Sequence, residues 1–163
     1  MTVDLSKAKD QIIDDGFGNK ETTRSIEAVE GSQFNDKITL GDGGWVWGDE
    51  GNDRLIAGTG AQWFGDGGGK DTFVFGSVKS MGIGKNTDHI DDFSQGDGDR
   101  IDLSGIKGLK FEGTGNFDGG KEVRYVIDGG NTYIYGDADG DKKTDFQLEL
   151  NGNINLKDVD FIL

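Results

Sequence analysis

Polar and apolar positions alternate with a fixed period of nine residues between positions 31 and 76. Each unit begins with a Gly-rich, polar stretch and ends in a triplet whose middle residue is large and apolar. The second unit is one residue short. The units are 31–39, 40–47, 48–56, 57–65 and 66–74. A short fixed period predicts stacked turns and strands, in which each unit buries its apolar residue against its neighbours.

This repeat predicts a parallel β-roll. Six residues rich in Gly turn the chain sharply, and the next three form a short strand with its middle side chain inside. Two units of nine make one coil of 18 residues, so alternate units stack on the same sheet. The predicted inward residues are Ile38, Val46, Leu55, Phe64 and Phe73.

The segment before the repeats has a different pattern. Val3 and Leu5 alternate with polar residues, and an acidic, Gly-containing turn follows at 14–16. We expect residues 1–30 to form a strand and a lead-in that covers the open end of the roll.

Residues 77–163 contain less Gly, and their apolar residues recur at every second position. The clearest runs lie at 123–127 and 146–150, and a period of two predicts strands. Asp-Gly-Gly-Asn at 128–131 is typical of a tight hairpin turn. We therefore predict an all-β chain, with a short parallel β-roll of nonapeptide repeats at 31–76 and an antiparallel cap at 77–163.

Composition adds a strong charge and only a modest core. The chain has 31 acidic and 17 basic residues, a net charge of -14, and 33% hydrophobic residues. Such a field repels nucleic acid and attracts multivalent cations, of which Ca²⁺ prefers carboxylate and carbonyl oxygen. The 30 Gly, without Pro or Cys, exclude collagen and disulfide-stapled scaffolds. Bound calcium is therefore expected to supply the stability that a thin core lacks.

Three aspartates occupy the same place in successive coils. Asp36, Asp53 and Asp71 are 17 and 18 residues apart, whereas the other edge of the roll has Gly44 and Gln62 at this place. The aspartates are therefore expected to stack on one edge. The opposite edge is expected to be metal-free or weak.

We predict two calcium sites on the Asp edge, one between the first and central turns and one between the central and third turns. The alternative is that these are ordinary turns, which Asn and Asp form without metal. The predicted ligands are Gly31, Gln33, Asp36, Gly48, Asp49, Glu50, Gly51, Asp53, Asp66, Gly67, Gly68, Gly69 and Asp71.

Two further acidic stretches offer metal ligands. The stretch 88–102 forms either another calcium site near the end of the roll or a plain acidic surface, and its candidates are Asp88, Asp91, Asp97, Asp99 and Asp102. The loop 137–145 has the oxygen spacing of the first half of an EF-hand, in Asp137, Asp139, Asp141 and Asp145. It lacks the bidentate Glu of that motif, because Leu148 stands at the twelfth position. A solvated acidic turn is the alternative there.

Trp45 and Trp63 are 18 residues apart, one coil, and each precedes an inward residue. They are expected to lie side by side on an outer face. Either the cap, the N-terminal strand or another domain covers them, or they form a platform for a sugar ring or a partner protein.

These motifs together resemble the C-terminal RTX domain of serralysin-type secreted metalloproteases. They are also similar to the repeat modules of secreted alginate epimerases. The resemblance rests on the nonapeptides, on 71–76 and 88–106, on 137–146 and on the terminal D-V-D-F-I-L. It implies a parallel β-roll followed by a β-sandwich, calcium-dependent folding, and export by a type I system that recognises the uncleaved C-terminus. The short unit at 40–47 and Gln62 depart from the family pattern.

No catalytic constellation is evident in the sequence. His89 is the only His, no H-E-x-x-H motif occurs, Cys is absent, and no Ser has the context of a nucleophile elbow. We therefore predict a non-catalytic calcium-binding RTX domain, not an enzyme, that folds on calcium binding and supports type I secretion. The alternative is a polysaccharide-binding module of a secreted polysaccharide-modifying enzyme such as an alginate epimerase.

The expected partners follow from this prediction. They are calcium ions, a type I ABC exporter that reads the C-terminus, and either an N-terminal catalytic domain or a polysaccharide. No apolar run is long enough to span a membrane, and the expected location is outside a bacterial cell. The acidic and apolar tail 158–163 is expected to be the export signal, or alternatively the last strand of the cap.

Overall fold

The computed structural model describes residues 1–7, 9, 11–14 and 26–163. The acidic turn predicted at 14–16 lies outside these residues, apart from Asp14. The 3-10 helices in the described part are Val78–Ser80, Gly84–Asn86 and Asp158–Asp160. None of the helices in this part is long and apolar enough to cross a membrane.

Most of the regular structure consists of short strands. They are β1 (Thr2–Asp4), β2 (Ile12–Asp14), β3 (Ala28–Glu30), β4 (Lys37–Thr39), β5 (Asp42–Trp47), β6 (Arg54–Ile56), β7 (Thr59–Gly65), β8 (Thr72–Val74), β9 (Asp88–Ile90), β10 (Arg100–Asp102), β11 (Lys110–Phe111), β12 (Glu122–Asp128), β13 (Asn131–Asp137), β14 (Phe146–Asn151) and β15 (Phe161–Ile162).

These strands form two sheets that share one hydrophobic core. The first sheet has the order β15-β10-β8-β6-β4-β1-β2, and the second has the order β11-β12-β13-β14-β9-β7-β5-β3. Phe64 of the second sheet meets Phe73 of the first edge to face, with 6.1 Å between ring centroids. The core is therefore a thin layer of side chains between the sheets.

Alternate repeat units pair in parallel, as the nine-residue period requires. In the first sheet Ile38 lies beside Leu55, and Leu55 lies beside Phe73. In the second sheet Val46 lies beside Phe64. All five predicted inward residues are buried. The prediction of an all-β chain with a parallel β-roll is confirmed.

The parallel ladders continue on both sides of the repeats. β9 pairs with β7 and β10 pairs with β8, both in parallel, beyond residue 76. At the other end β1 pairs in parallel with β4, and β3 pairs in parallel with β5. Both sheets thus run across the predicted boundaries at 30 and 76. The division into lead-in, roll and cap remains a prediction about folding units.

Strands β12 to β14 form an antiparallel meander within the second sheet. Asp128 pairs with Asn131 across Gly129 and Gly130, whose φ angles are 60° and 96°. Positive φ at both central residues is the geometry of a two-residue hairpin turn. β14 then pairs in parallel with β9, so the meander extends the sheet of the roll.

The C-terminal strand belongs to the core. Phe161 pairs with Ile101 in parallel and is buried. Its ring lies 5.1 Å from that of Phe111, centroid to centroid. The tail therefore finishes the first sheet.

Candidate calcium sites

The aspartates of the repeats form a buried column along one edge of the roll. The backbone N–H of Asp36 donates to Oδ1 of Asp53 at 2.8 Å, and that of Asp53 donates to Oδ1 of Asp71 at 2.6 Å. The backbone N–H of Asp71 donates in the same way to Oδ1 of Asp99, at 3.0 Å. We call these four residues the Asp column. Asp99 therefore joins the repeat aspartates, although the repeat pattern does not include it.

The central carboxylates of the Asp column each keep one oxygen without a donor. Oδ2 of Asp53 and Oδ2 of Asp71 are buried and accept no hydrogen bond. Burial raises the pKa of Asp53 to about 7 and the pKa of Asp71 to about 6, and neighbouring carboxylates add to both shifts. An unpaired buried carboxylate is costly, and a coordinated cation would remove that cost.

Asp36, at the N-terminal end of the Asp column, differs from these two. Its carboxylate accepts hydrogen bonds from the backbone N–H of Ser32, at 2.6 Å, and from the Ser32 hydroxyl. It also forms an ion pair with the α-amino group of Met1. Protein groups therefore satisfy the carboxylate of Asp36, whereas the carboxylates of Asp53 and Asp71 each keep one buried oxygen without a protein partner.

The stacked turns require Gly for steric reasons. A Cβ at Gly69 would lie 1.6 Å from the carbonyl oxygen of Gly51, and one at Gly67 would lie 2.1 Å from that of Asp49. Gly67 and Gly69 also have positive φ. The N–H of Gly68 donates to the carbonyl of Asp49 at 3.0 Å. Successive turns thus lie backbone on backbone, and their peptide groups are close to the Asp column.

The first Gly of each turn leaves room for a carboxylate. A Cβ at Gly48 would lie 2.3 Å from Oδ2 of Asp53, and one at Gly31 would lie 2.7 Å from Oδ2 of Asp36. The side chains of Gln33 and Glu50 are exposed. Among the predicted ligands, the buried aspartates are therefore better placed to hold an ion inside the stacked turns than these two exposed side chains are.

A compact acidic cluster lies where the third repeat turn meets the loop after β9. Carboxylate oxygens of Asp66, Asp71 and Asp99 all lie within 4.8 Å of one another. Both oxygens of Asp66 are buried without a donor. Burial, together with the carboxylates of Asp92 and Asp99, raises the pKa of Asp66 far above its usual range. The residues fit a divalent cation held by oxygen ligands.

Asp92 supports this cluster, and the sequence analysis missed it. Its carboxylate accepts hydrogen bonds from the N–H groups of Asp66, at 2.9 Å, and Gly67, at 3.0 Å. No local pattern points to Asp92, because it lies beyond the end of β9 and its two hydrogen bonds span 25 and 26 positions.

The aspartates predicted in the stretch 88–102 do not form one site. Asp91 and Asp97 are exposed, and Asp88 lies on the opposite edge of the roll. Asp102 forms an ion pair with Arg54 at 3.1 Å. Although burial acts to raise the pKa of Asp102, hydrogen bonds from Ser104 and Arg54 hold it below its usual range. The strands distribute these carboxylates to different faces, and of the five, Asp99 lies in the acidic cluster, so calcium binding by this stretch remains a prediction.

On the opposite edge, the side chain of Gln62 takes the place of an aspartate. Its Oε1 accepts a hydrogen bond from the N–H of Gly58, and its Nε2 donates to the carbonyl of Gly41, both at 3.1 Å. The N–H of Gln62 donates to Oδ1 of Asp88 at 2.9 Å. Burial raises the pKa of Asp88 to about 7, and its Oδ2 accepts no hydrogen bond. The turn at Gln62 is thus tied by the Gln62 side-chain amide and by one carboxylate, that of Asp88.

The loop after β13 brings three of its four predicted aspartates together. Oxygens of Asp137, Asp139 and Asp145 lie within 4.8 Å of one another. Asp137 is fully buried, and its carboxylate accepts N–H groups of its own loop. Asp141 instead pairs with Lys143 at 2.5 Å. The geometry is compatible with both alternatives, a metal site and an acidic turn.

Trp45 and Trp63 are neighbours on the outer face of the second sheet. They pair in register, and their exposed fractions are 62% and 41%. The ring of Trp63 stacks on that of His89, with 5.0 Å between centroids and 8° between planes. Within the described ranges the cap and the N-terminal strands leave both indoles largely uncovered.

Comparison with known structures supports this fold. The AlgE6R3 subunit of the mannuronan C5-epimerase from Azotobacter vinelandii is 28% identical with a TM-score of 0.61, over 83% of this chain and 76% of that one. The AlgE6R2 subunit of the same epimerase is 24% identical with a TM-score of 0.56, over 83% of this chain and 89% of that one. At that lower identity the second likeness concerns the fold alone.

The sequence itself gives the family. Among curated proteins no sequence matches this chain. The family model described as Peptidase M10 serralysin C terminal, however, matches residues 5–163. This match covers the repeats, the Asp column, the loop after β13 and the C-terminal strand. The chain belongs to the serralysin C-terminal family of the M10 peptidases.

Proposed function

We propose that this chain is a non-catalytic module that folds when calcium fills the Asp edge of the roll. The observation that carries the proposal is the set of buried carboxylate oxygens without donors in Asp53, Asp66 and Asp71. A buried charge without a partner destabilises a folded chain by several kcal/mol. A calcium ion satisfies several such oxygens at once.

The charge of the whole chain favours the same role. At -14 the calcium-free chain repels itself, and its hydrophobic content is low. It is therefore expected to stay unfolded where calcium is scarce and to fold where calcium is abundant. This behaviour suits a protein that leaves the bacterial cytosol unfolded and becomes ordered outside the cell.

Circular dichroism tests the calcium proposal. With a chelator the purified chain should lose most of its β-sheet signal, and excess Ca²⁺ should restore it. Mg²⁺ at the same concentration is the control, because it demands a stricter octahedral geometry and gives up its water reluctantly. A spectrum that does not change on chelation would refute the proposal.

We also propose that the C-terminus is read by a type I exporter before the chain folds. Asp158 to Leu163 combine acidic and apolar residues, and the chain's family supports the assignment. Deleting Phe161 to Leu163 should stop release into the medium of a bacterium that carries such an exporter. Unchanged release of the shortened chain would contradict this assignment.

A second candidate function is carbohydrate binding. The observation that favours it is the exposed, in-register pair Trp45 and Trp63. Aromatic faces bind the apolar faces of sugar rings, and exposed indoles are otherwise unusual. The likeness to a subunit of an enzyme that acts on mannuronan, a polysaccharide, points the same way. Binding of oligosaccharides to the calcium-loaded chain would test it.

A further inference from the structure

A row of outward side chains crosses the second sheet at right angles to its strands. Strand register places its members side by side, on β5, β7, β9, β14 and β13. We call it the aromatic row, and its members are Trp45, Trp63, His89, Glu149 and Tyr133. Four strand spacings of about 4.8 Å give it a length of about 19 Å.

The row combines flat rings with hydrogen-bonding groups. Trp63 stacks on His89, and Nδ1 of His89 lies 3.4 Å from the carboxylate of Glu149. The side-chain amide of Asn131 donates to the same carboxylate at 2.6 Å. These contacts hold the polar groups in place, and pre-positioned side chains bind a ligand at lower entropic cost.

A third indole lies flat beside the row. A Cβ at Gly65 would lie 2.1 Å from Cε3 of Trp47, so the Gly lets the Trp47 ring lie against the sheet. Its other side is open to solvent, since Trp47 is 43% exposed. Trp45, Trp47 and Trp63 also line one hollow together with Asp91. A flat, supported indole next to a carboxylate matches the apolar face and the hydroxyl edge of a sugar ring.

The charges around the three indoles disfavour an anionic ligand. Glu30 lies beside Trp47 in register, Asp91 lines the hollow, and Glu149 belongs to the row. His89, the row's one basic side chain, already faces Glu149. A second copy of the chain, docked face to face, would bring the same carboxylates together, which is unfavourable.

We propose that the aromatic row and Trp47 bind a chain of uncharged sugars. This inference rests on the second candidate function above and names its ligand class. The row is one side chain wide, so it fits a linear polymer better than the broad surface of a globular protein. The rings bind the sugar faces, while Glu149, His89 and Asp91 accept or donate hydrogen bonds to hydroxyl groups.

An anionic polysaccharide would be expected elsewhere on the molecule. On the outer face of the first sheet, Lys37, Arg54 and Arg100 fall in one cross-strand row with Thr72. The two outer faces thus differ in charge. Neutral and anionic oligosaccharides should therefore bind to different faces and respond to different variants.

Tryptophan fluorescence tests the proposal directly, because all three Trp of the chain lie on this face. The calcium-loaded protein is titrated with cello-, xylo- and laminari-hexaose, which are neutral, and with a mannuronate hexamer. We expect saturable binding of at least one neutral oligosaccharide. Trp47→Ala and Trp63→Ala should each weaken it about tenfold, the loss expected when one ring stack is removed.

Two control variants should bind as the unaltered chain does. Val159→Ala removes an exposed apolar side chain from the 3-10 helix before β15, outside the aromatic row, and Arg100→Gln removes a charge from the other outer face. Circular dichroism of each variant with calcium checks that it is folded.

Each outcome has a distinct meaning. Equal binding by the Trp variants, or binding of the mannuronate alone with sensitivity to Arg100→Gln, would overturn the inference and leave carbohydrate binding in place. If no oligosaccharide of either class binds, the inference and the second candidate function both fall, while the calcium proposal stands.

Discussion

Replacing Asp53 by Asn separates the two roles of the buried carboxylate. In the unaltered chain, Oδ1 of Asp53 accepts the N–H of Asp36 at 2.8 Å. Asn keeps the shape of the side chain and an oxygen that can accept this N–H, but it removes the charge. With calcium present, the variant loses a proposed charged ligand between the first and central turns. The same residue is linked to the third turn, because its N–H donates to Asp71. Without calcium, the variant loses a carboxylate that burial makes unfavourable. The two effects have opposite signs.

The magnitude follows from the charge of the ligand. Hydrogen bonds and contacts to charged groups contribute about 1.5 to 3 kcal/mol each. Because folding is proposed to take up two calcium ions, a loss of about 2 kcal/mol raises the calcium concentration at the folding midpoint by about fivefold, since 1.4 kcal/mol is tenfold for a single ion. Asp71→Asn should raise the calcium concentration at the folding midpoint by a similar factor, because Asp71 also belongs to the cluster with Asp66 and Asp99. Asp36→Asn should have a smaller effect, since Ser32 and Met1 already satisfy its carboxylate.

The assay is the circular dichroism signal of the three variants against free calcium, with a zero-calcium point in chelator. We expect the midpoint of Asp53→Asn to exceed that of Asp36→Asn, and its residual β-signal in chelator to exceed that of the unaltered chain. Equal midpoints for the two variants would show that the Asp column does not place Asp53 in the calcium sites.

Further predictions concern pH, the opposite edge and the tail. The raised pKa values of Asp53 and Asp71, about 7 and 6 against 3.8, mean that protons stabilise the calcium-free fold. That stability is complete below pH of about 4 and is lost as the pH rises through about 6 to 7. Acidification without calcium should therefore raise the β-signal, and calcium affinity should fall as the pH drops from 8 to 5; pH-independent titrations would contradict this. Gln62→Asp should add one calcium ion in a binding-stoichiometry measurement, because it restores a carboxylate next to Asp88, with Gln62→Ala as control. Phe161→Ala should lower the free energy of unfolding by about 3 kcal/mol in urea with calcium, whereas the exposed Val159→Ala should change it little.

The sequence predicts the roll well because its period is rigid. Nine-residue units place Ile38, Leu55 and Phe73 in one ladder whatever the rest of the chain does. The slipped unit 40–47 does not disturb this, because Val46 still pairs with Phe64 and the missing residue is accommodated at the start of β5. The irregularity appears as a register shift between Asp42 and Gly44.

Prediction is weaker where loops of irregular length interrupt the period. The segments before β9 and β10 break the nine-residue spacing, so the continuation of the parallel ladders is not visible in the pattern. For the same reason Asp99 could be named as a candidate but not placed in the Asp column. Asp92 supports Asp66 through backbone contacts across 25 or more positions, which no local pattern encodes.

The tail shows how burial changes an interpretation made from sequence. Three terminal residues of an edge strand would be expected to contribute little. Phe161, however, is buried. Its ring packs against Phe111, and its strand pairs with Ile101. The same residues therefore carry the proposed export signal and complete the first sheet. Both roles are compatible only if export precedes folding, because a buried Phe161 is not accessible to an exporter.

The two edges of the roll offer a way for calcium to control this order under the proposed function. On the Gln62 edge, amide hydrogen bonds join the turns, and they require no cation as a bridge. On the Asp edge, carboxylates occupy the same places, and they repel one another until a cation joins them. The first sheet, which ends in β15, has its strands directly after the turns of the Asp edge. Under the proposed function, that edge stays open without calcium, so the first sheet does not close over Phe161 and the tail is accessible. Calcium outside the cell would then close the edge and bury the tail in the same step.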